Sequence, residues 1–255
     1  MSDPKIALQL YNLRDSCATP AAFAATLRKV ACLGYRCVQL AGTPPMAPKE
    51  VKALLDDCRL LAVSSHVGYA DLASNLDSLI ETHKLWNCPA LALGGLPNDM
   101  RNPAGYRAWA REGSRIARRL REAGLSLSYH NHYWELEKTA GCSGMDILFE
   151  ESDPDCFLFE IDTYWIQYAG GDPPAWIRRM AARVPSVHFK DMGIAGDKQV
   201  YLEVGEGNLN WPAILDACRE SDVRYAVFEQ DTSLRDPFES ARISLANLQA
   251  MGLEP

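Results

Sequence analysis

Residues Pro103–His132 read P-A-G-Y-R-A-W-A-R-E-G-S-R-I-A-R-R-L-R-E-A-G-L-S-L-S-Y-H-N-H, a long segment of helical period that breaks at Gly124 and passes directly into one of strand period. Pro103 suits the first turn of a helix, and Gly124 suits the left-handed position that ends one. Beyond it, apolar and polar residues alternate, as they do along a strand with one face buried.

The same change of period recurs along the whole chain. Strands are predicted at Lys5–Tyr11, Tyr35–Ala41, Leu61–His66, Ala90–Gly94, Leu125–Asn131, Phe157–Asp162, Ser186–Lys190 and Tyr225–Gln230. Helices are predicted between them at Ala21–Leu33, Pro48–Leu60, Asp71–Trp86, Pro103–Ala123, Asp172–Ala182, Trp211–Glu220 and Pro237–Met251, with a weaker one at Met145–Glu150. Strict alternation implies parallel strands joined by helical crossovers, and eight such units close most naturally into an α/β (β/α)8 barrel. All 255 residues form one domain in this reading. Gly193–Asn210 is the longest irregular stretch expected, placed after the seventh strand on the face where such barrels carry function.

Bulk properties narrow the function. The 33 acidic against 26 basic residues, a formal charge of −7, argue against a nucleic-acid partner. The basic residues from Arg111 to Arg121 fall at helical spacing and read as a solvated face. Eight single cysteines without a Cys-x-x-Cys pair, and no secretory segment, fit a reduced cytoplasmic protein. No apolar run is long enough for a membrane span. The composition neither requires nor excludes a homo-oligomer.

Period-two parity identifies the side chains that point into the barrel. Phe157, Phe159 and Ile161 face the helices, which leaves Glu160 and Asp162 inside; His188 and Lys190 share the inner face of the seventh strand, and His130 and His132 that of the fifth. The eighth strand is ambiguous by composition, and Glu229 is placed inward. Carboxylates and an imidazole gathered at successive strand ends make an oxygen-rich donor set suited to one divalent metal ion, Mn, Mg, Co or Zn. Without a cation, such acids repel one another. Singly, each has a plainer reading: Asp162 a capping residue, Glu135 a loop acid, His188 a core histidine, Glu229 half of an ion pair. Glu137 shares the parity of Glu135, as Glu160 shares that of Asp162. His66 is a substrate contact or a core histidine, and His132 orients ligands or fills the barrel. Lys190 binds a substrate oxyanion or pairs with a carboxylate. Trp134 and Trp165 wall a sugar pocket or pack helix on strand, and mid-helix His83 is expected at the surface. In E-V-G-E-G-N-L-N-W-P (Glu203–Pro212), Asn210 reads as a helix cap, and the helix start reads as a hydroxyl site or a plain joint.

The segments Y-H-N-H-Y-W-E-L-E (Tyr129–Glu137), F-E-I-D-T-Y-W (Phe159–Trp165), V-H-F-K-D-M (Val187–Met192), E-V-G-E-G-N-L-N-W (Glu203–Trp211) and V-F-E-Q-D (Val227–Asp231) resemble the sugar isomerase/epimerase superfamily of xylose-isomerase-like barrels, which also contains inosose dehydratases and endonuclease IV. The resemblance implies one divalent ion on Glu135, Asp162, His188 and Glu229, with Glu135 and Glu229 as the acid/base pair. It implies a sugar or cyclitol substrate, for which His66, His132, Lys190 and Trp165 are the contacts that the residues themselves offer. The reaction implied is ketose isomerisation or epimerisation through an enediolate, with keto-sugar or inosose dehydration, or sugar binding without turnover, as alternatives. The chain departs from the ketose 3-epimerases where Trp165 replaces the histidine three residues after the sixth-strand Asp, and it lacks the histidines of a three-zinc nuclease.

Overall fold

The computed structural model describes residues 3–255. Eight parallel strands close a barrel in sequence order: β1 (Lys5–Gln9), β2 (Cys37–Leu40), β3 (Leu61–Val67), β4 (Ala90–Leu93), β5 (Ser126–His130), β6 (Phe157–Asp162), β7 (Ser186–Phe189) and β8 (Tyr225–Phe228). Each falls within a residue or two of its predicted position. The chain end seals the base, where Ile6 N donates to Glu254 O at 2.7 Å.

The helix over Pro103–Glu122 shows how the outer layer forms. The Asn102 side chain caps it by accepting from the Ala104 and Gly105 amides, both at 3.1 Å. Tyr106, Trp109, Ala110, Gly113, Ile116, Ala117 and Leu120 recur on one buried face. A Cβ on Gly113 would collide with the Phe157 ring, so this glycine sets how closely the helix lies on the barrel. Gly124 follows with φ +79°, a conformation costly to side chains larger than hydrogen.

Inside the barrel the layers differ in polarity. Ala7, Cys37, Val63 and Val227 form an apolar floor. Above it, Gln9 Nε2 donates to Gln39 Oε1 (2.6 Å), and Gln39 Nε2 donates to Glu160 Oε1 (2.7 Å). Val227 in the floor resolves the parity of β8, since Glu229 two residues on continues the inner face.

Four departures from the expected elements have local causes. The helix predicted over Asp71–Trp86 divides at Asn75, whose φ −124° and ψ 24° are not helical. The one predicted over Asp172–Ala182 spans Pro173–Arg179, followed by a 3-10 turn at Ala181–Arg183. An additional helix, Thr163–Tyr168, starts directly at the end of β6 because Asp162 caps it. The stretch expected to be irregular opens with an antiparallel hairpin, Asp191–Ala195 against Lys198–Leu202. No helix of the described residues is long and apolar enough to cross a membrane.

Candidate metal centre at the barrel mouth

Strands β5 to β8 deliver their polar residues at the C-terminal rim of the barrel. His130 ends β5, Asp162 ends β6 with its Cα paired to that of His188 on β7, and Glu229 directly follows β8. One group of donor atoms within 4.8 Å of one another comprises His130, Asp162, His188 and Glu229; a second, sharing the same two histidines, adds His66 and Glu160. His188 links the two: its Nδ1 meets Glu229 Oε2 at 2.9 Å, while its Nε2 meets Gln39 Oε1 at 2.7 Å and Glu160 Oε2 at 3.0 Å.

Lys190 is buried among carboxylates. Its Nζ lies 2.8 Å from Asp231 Oδ2, 3.1 Å from Glu229 Oε2 and 3.5 Å from Asp162 Oδ2. The rings of Trp165, Tyr201 and Tyr164 stand 4.9, 5.2 and 5.9 Å from it. Asp162 Oδ1 is used by the Trp165 amide at 2.9 Å, but the buried Oδ2 accepts no hydrogen bond.

The charge pattern favours a cation. Burial pushes the Asp162 carboxyl up to about 7 against the pull of Lys190. Burial also opposes ionisation of Glu229, yet Lys190 and His188 outweigh it and hold this carboxyl well below the usual range. His130, desolvated and close to His188, His132 and His66, is held well below the ordinary imidazole range, so it is neutral and keeps a lone pair. Asp162, Glu229 and Asp231 surround the Lys190 ammonium, and His188, held against its burial well above the ordinary imidazole range by Glu160 and Glu229, is the second positive group beside them. Two imidazoles and two carboxylates with an unmatched buried oxygen fit a divalent metal of the borderline-to-hard kind.

The sequence-predicted residues are not all brought together. Asp162, His188 and Glu229 converge; Glu135 is in neither donor group. It sits in a 3-10 turn, Trp134–Leu136, fully buried, where Oε1 accepts from the Tyr129 hydroxyl at 2.6 Å and Oε2 from the His132 amide at 2.8 Å. Burial raises its carboxyl to about 7 against those bonds. His130 occupies the fourth place. His66 Nε2 lies 2.7 Å from Glu160 Oε2, and His132 stacks on Trp134 at 4.1 Å. His66, His130, His132, Glu229 and Asp231 line a cleft of about 500 Å³ at the mouth, a volume within the range of small-molecule sites. Trp165 stands 5.6 Å from His132, ring to ring.

One expectation is corrected, and one pair of alternatives is resolved toward the plain joint. His83 is buried, with Nε2 2.6 Å from Ser65 Oγ and Nδ1 2.7 Å from Leu79 O, because its helix turns this face to β3. The amides of the Glu203–Asn210 loop are consumed internally. Asp191 Oδ2 accepts from Gly205 N, Gly207 N and Trp211 Nε1 at 2.8, 3.0 and 2.7 Å. Asp231 and Gln39 were missed as site residues. Asp231 carries a readable signal, since it repeats the parity of Glu229.

The family model described as xylose isomerase-like TIM barrel matches residues 27–251. An inosose dehydratase of Lacticaseibacillus casei is 29% identical over 145 residues, which cover 50% of this chain and 48% of that protein. The chain thus spans about half the length of the curated relatives it matches. A sugar phosphate isomerase/epimerase of Parabacteroides distasonis superimposes with a TM-score of 0.78 at 24% identity, covering 98% of this chain and 95% of the other. An L-ribulose 3-epimerase does so at 0.76 and 16%, covering 97% and 94%. At these identities the two structures speak for the fold.

Proposed function

The chain belongs to the xylose isomerase-like TIM barrel family, and from that premise we propose that it is a divalent-metal-dependent isomerase or epimerase of a ketose or related sugar or cyclitol. The observation that carries this reading is the quartet His130, Asp162, His188 and Glu229 at the cleft, with Asp162 Oδ2 buried, without a hydrogen bond and only 3.5 Å from Lys190 Nζ. These four would hold the ion, His130 standing where the resemblance pointed to Glu135. A bound divalent ion supplies polarisation of a substrate carbonyl, which acidifies the neighbouring C–H bond.

The chain's own groups divide the remaining work. Glu229 opens on the cleft and, with one carboxylate oxygen given to the ion, would take a carbon-bound proton through the other. The Lys190 ammonium, kept protonated by three carboxylates, offers positive charge beside a developing oxyanion. Trp165, His132 and Trp134 form an aromatic wall that excludes water and suits the C–H face of a sugar. The Trp165 indole N–H, buried without an acceptor, is available to a hydroxyl. Glu135 holds the His132 backbone and so positions that ring.

The partial match to an inosose dehydratase favours a second reading, in which the same proton abstraction is followed by expulsion of a β-hydroxyl. Incubating the metal-loaded protein in D2O with a panel of ketoses and inososes, followed by NMR, tests both. Deuterium at the carbon beside the carbonyl, reduced by about 10²- to 10⁴-fold in Glu229→Gln, is expected. An isomer or epimer supports the first reading and a dehydrated product the second. Sugars that bind without any exchange would leave a binding barrel and overturn both.

A further inference from the structure

Below the quartet lies a set of donors that neither the sequence motifs nor the comparisons assign. Four strands, β3, β5, β6 and β7, aim His66, His130, Glu160 and His188 at one point inside the barrel. Glu160 Oε2 lies 2.7 Å from His66 Nε2, 3.0 Å from His188 Nε2 and 3.7 Å from His130 Nδ1. Hydrogen bonding alone does not need this arrangement. Glu160 Oε1 is already supplied by Gln39 Nε2 at 2.7 Å and Ser186 Oγ at 2.9 Å, and two imidazoles satisfy the lone pairs of Oε2. The third, His130, is left with a buried Nδ1 that has no partner although its side chain is only 3% exposed, an arrangement that costs stability unless something else binds there.

We propose that His66, His130, His188 and Glu160 form a second metal seat, one layer deeper than the first and selective for zinc-class ions. Three imidazole nitrogens and one carboxylate oxygen are a tetrahedral zinc set. With metal–ligand bonds of about 2.0–2.1 Å, tetrahedral donors stand about 3.4 Å apart. The separations from Glu160 Oε2 bracket that value, so small movements admit an ion. A cavity of about 40 Å³, bordered by Glu160, Ser64, Ser128 and Ser186, gives the carboxylate room to draw back. The mouth quartet has two nitrogens and two carboxylates and leans toward harder ions such as manganese, whereas the nitrogen-rich seat gains most from zinc.

The two seats share two histidines, so they are alternatives. An ion on His188 Nε2 leaves Nδ1–H to donate to Glu229, turning a mouth ligand into an outer support of the deep ion. A zinc ion held below therefore deprives the mouth of its nitrogen donors and blocks manganese loading.

The test uses the full chain stripped by a chelator and titrated calorimetrically with zinc or manganese alone. His66→Gln is expected to weaken zinc about a hundredfold while moving manganese by less than about threefold; Asp162→Asn is expected to do the reverse. X-ray absorption of the wild-type zinc form should show three imidazoles, and one zinc equivalent should abolish manganese binding. Unchanged zinc affinity in His66→Gln, two imidazoles or fewer around zinc, or no zinc binding overturns the deep seat. Should His66→Gln fail to fold, the imidazole count in the wild type decides. Manganese binding unaffected by Asp162→Asn refutes the mouth quartet instead, so the two assignments fail separately.

Discussion

Glu135 and His130 are five residues apart across the end of β5, and they illustrate what parity can reach. Up to His130 the strand repeats every two residues, so the inward side chains are readable; beyond it the chain turns, and the Tyr129 hydroxyl draws Glu135 into a buried niche. Asp162 and His188 lay within regular strands and were readable for the same reason, whereas Glu229 depended on which face of β8 met the floor. Burial raises the Glu135 carboxyl from 4.5 to about 7, so the unfolded chain ionises first as pH rises. Its contribution is whole below pH 4.5 and lost between 4.5 and 7, about 3 kcal/mol in all. Glu135→Gln should therefore gain on the wild type across that window in parallel denaturant titrations; a constant difference would show that the carboxyl ionises freely. Lys190 makes a complementary case, its ammonium standing against Asp162, Glu229 and Asp231 together. Lys190→Met should destabilise the metal-free protein by about 3–5 kcal/mol, the cost of uncompensated buried charge, and manganese should restore more of the loss than it adds to the wild type. Equal manganese effects on both proteins would mean that the carboxylates do not receive the ion.

Between β7 and the helix over Trp211–Glu220, Gly193 and Gly196 interrupt the strand pattern of the hairpin, which hides it from a reading by period. What orders this segment is a long-range device that local propensity cannot show. Asp191 Oδ1 accepts from Met192 N and Leu209 N at 2.8 and 3.3 Å, while Oδ2 takes the three donors of the loop and Trp211. The same hairpin carries Tyr201 to within 5.2 Å of Lys190, so its order bears on the site. Asp191→Asn replaces one acceptor oxygen with an amide that faces N–H groups, at a cost of about 2–5 kcal/mol, roughly 4–20 °C in Tm for a chain of this length. Hydrogen exchange at Gly205, Gly207 and Leu209 should accelerate with it. Gly207→Ala keeps the carboxylate but collides with it, so it should loosen the same amides. Exchange rising everywhere equally would locate the damage outside the loop.

The barrel as a whole was readable because repeated changes of period along the chain, with a clear helix stop at Gly124, leave few other topologies. The polar mouth was readable too, from the acids and imidazole at the strand ends, but the gradient from it down to a floor of Ala7, Cys37, Val63 and Val227 was not, since sharing a layer depends on strand stagger, which only the closed sheet fixes. That gradient concentrates unlike charges at one rim, and the quartet ties the ends of β5, β6, β7 and β8, reaching β2 and β3 only through the contacts of His188 with Gln39 and His66. An ion that binds only the folded chain, present at about a thousandfold above its Kd, stabilises it by about 4 kcal/mol, or roughly 8–16 °C in Tm. A gain in Tm alone would not locate the ion, because any folded-state site gives one. The location is read from hydrogen exchange: on adding manganese to stripped protein, protection should rise first at the amides around His130, Asp162, His188 and Glu229, with little change in β2 to β4. Protection spread evenly around the barrel, or centred on its outer helices, would move the ion away from the mouth. In that case the four donors would form a self-contained hydrogen-bonded core whose carboxylates are matched by Lys190 and His188.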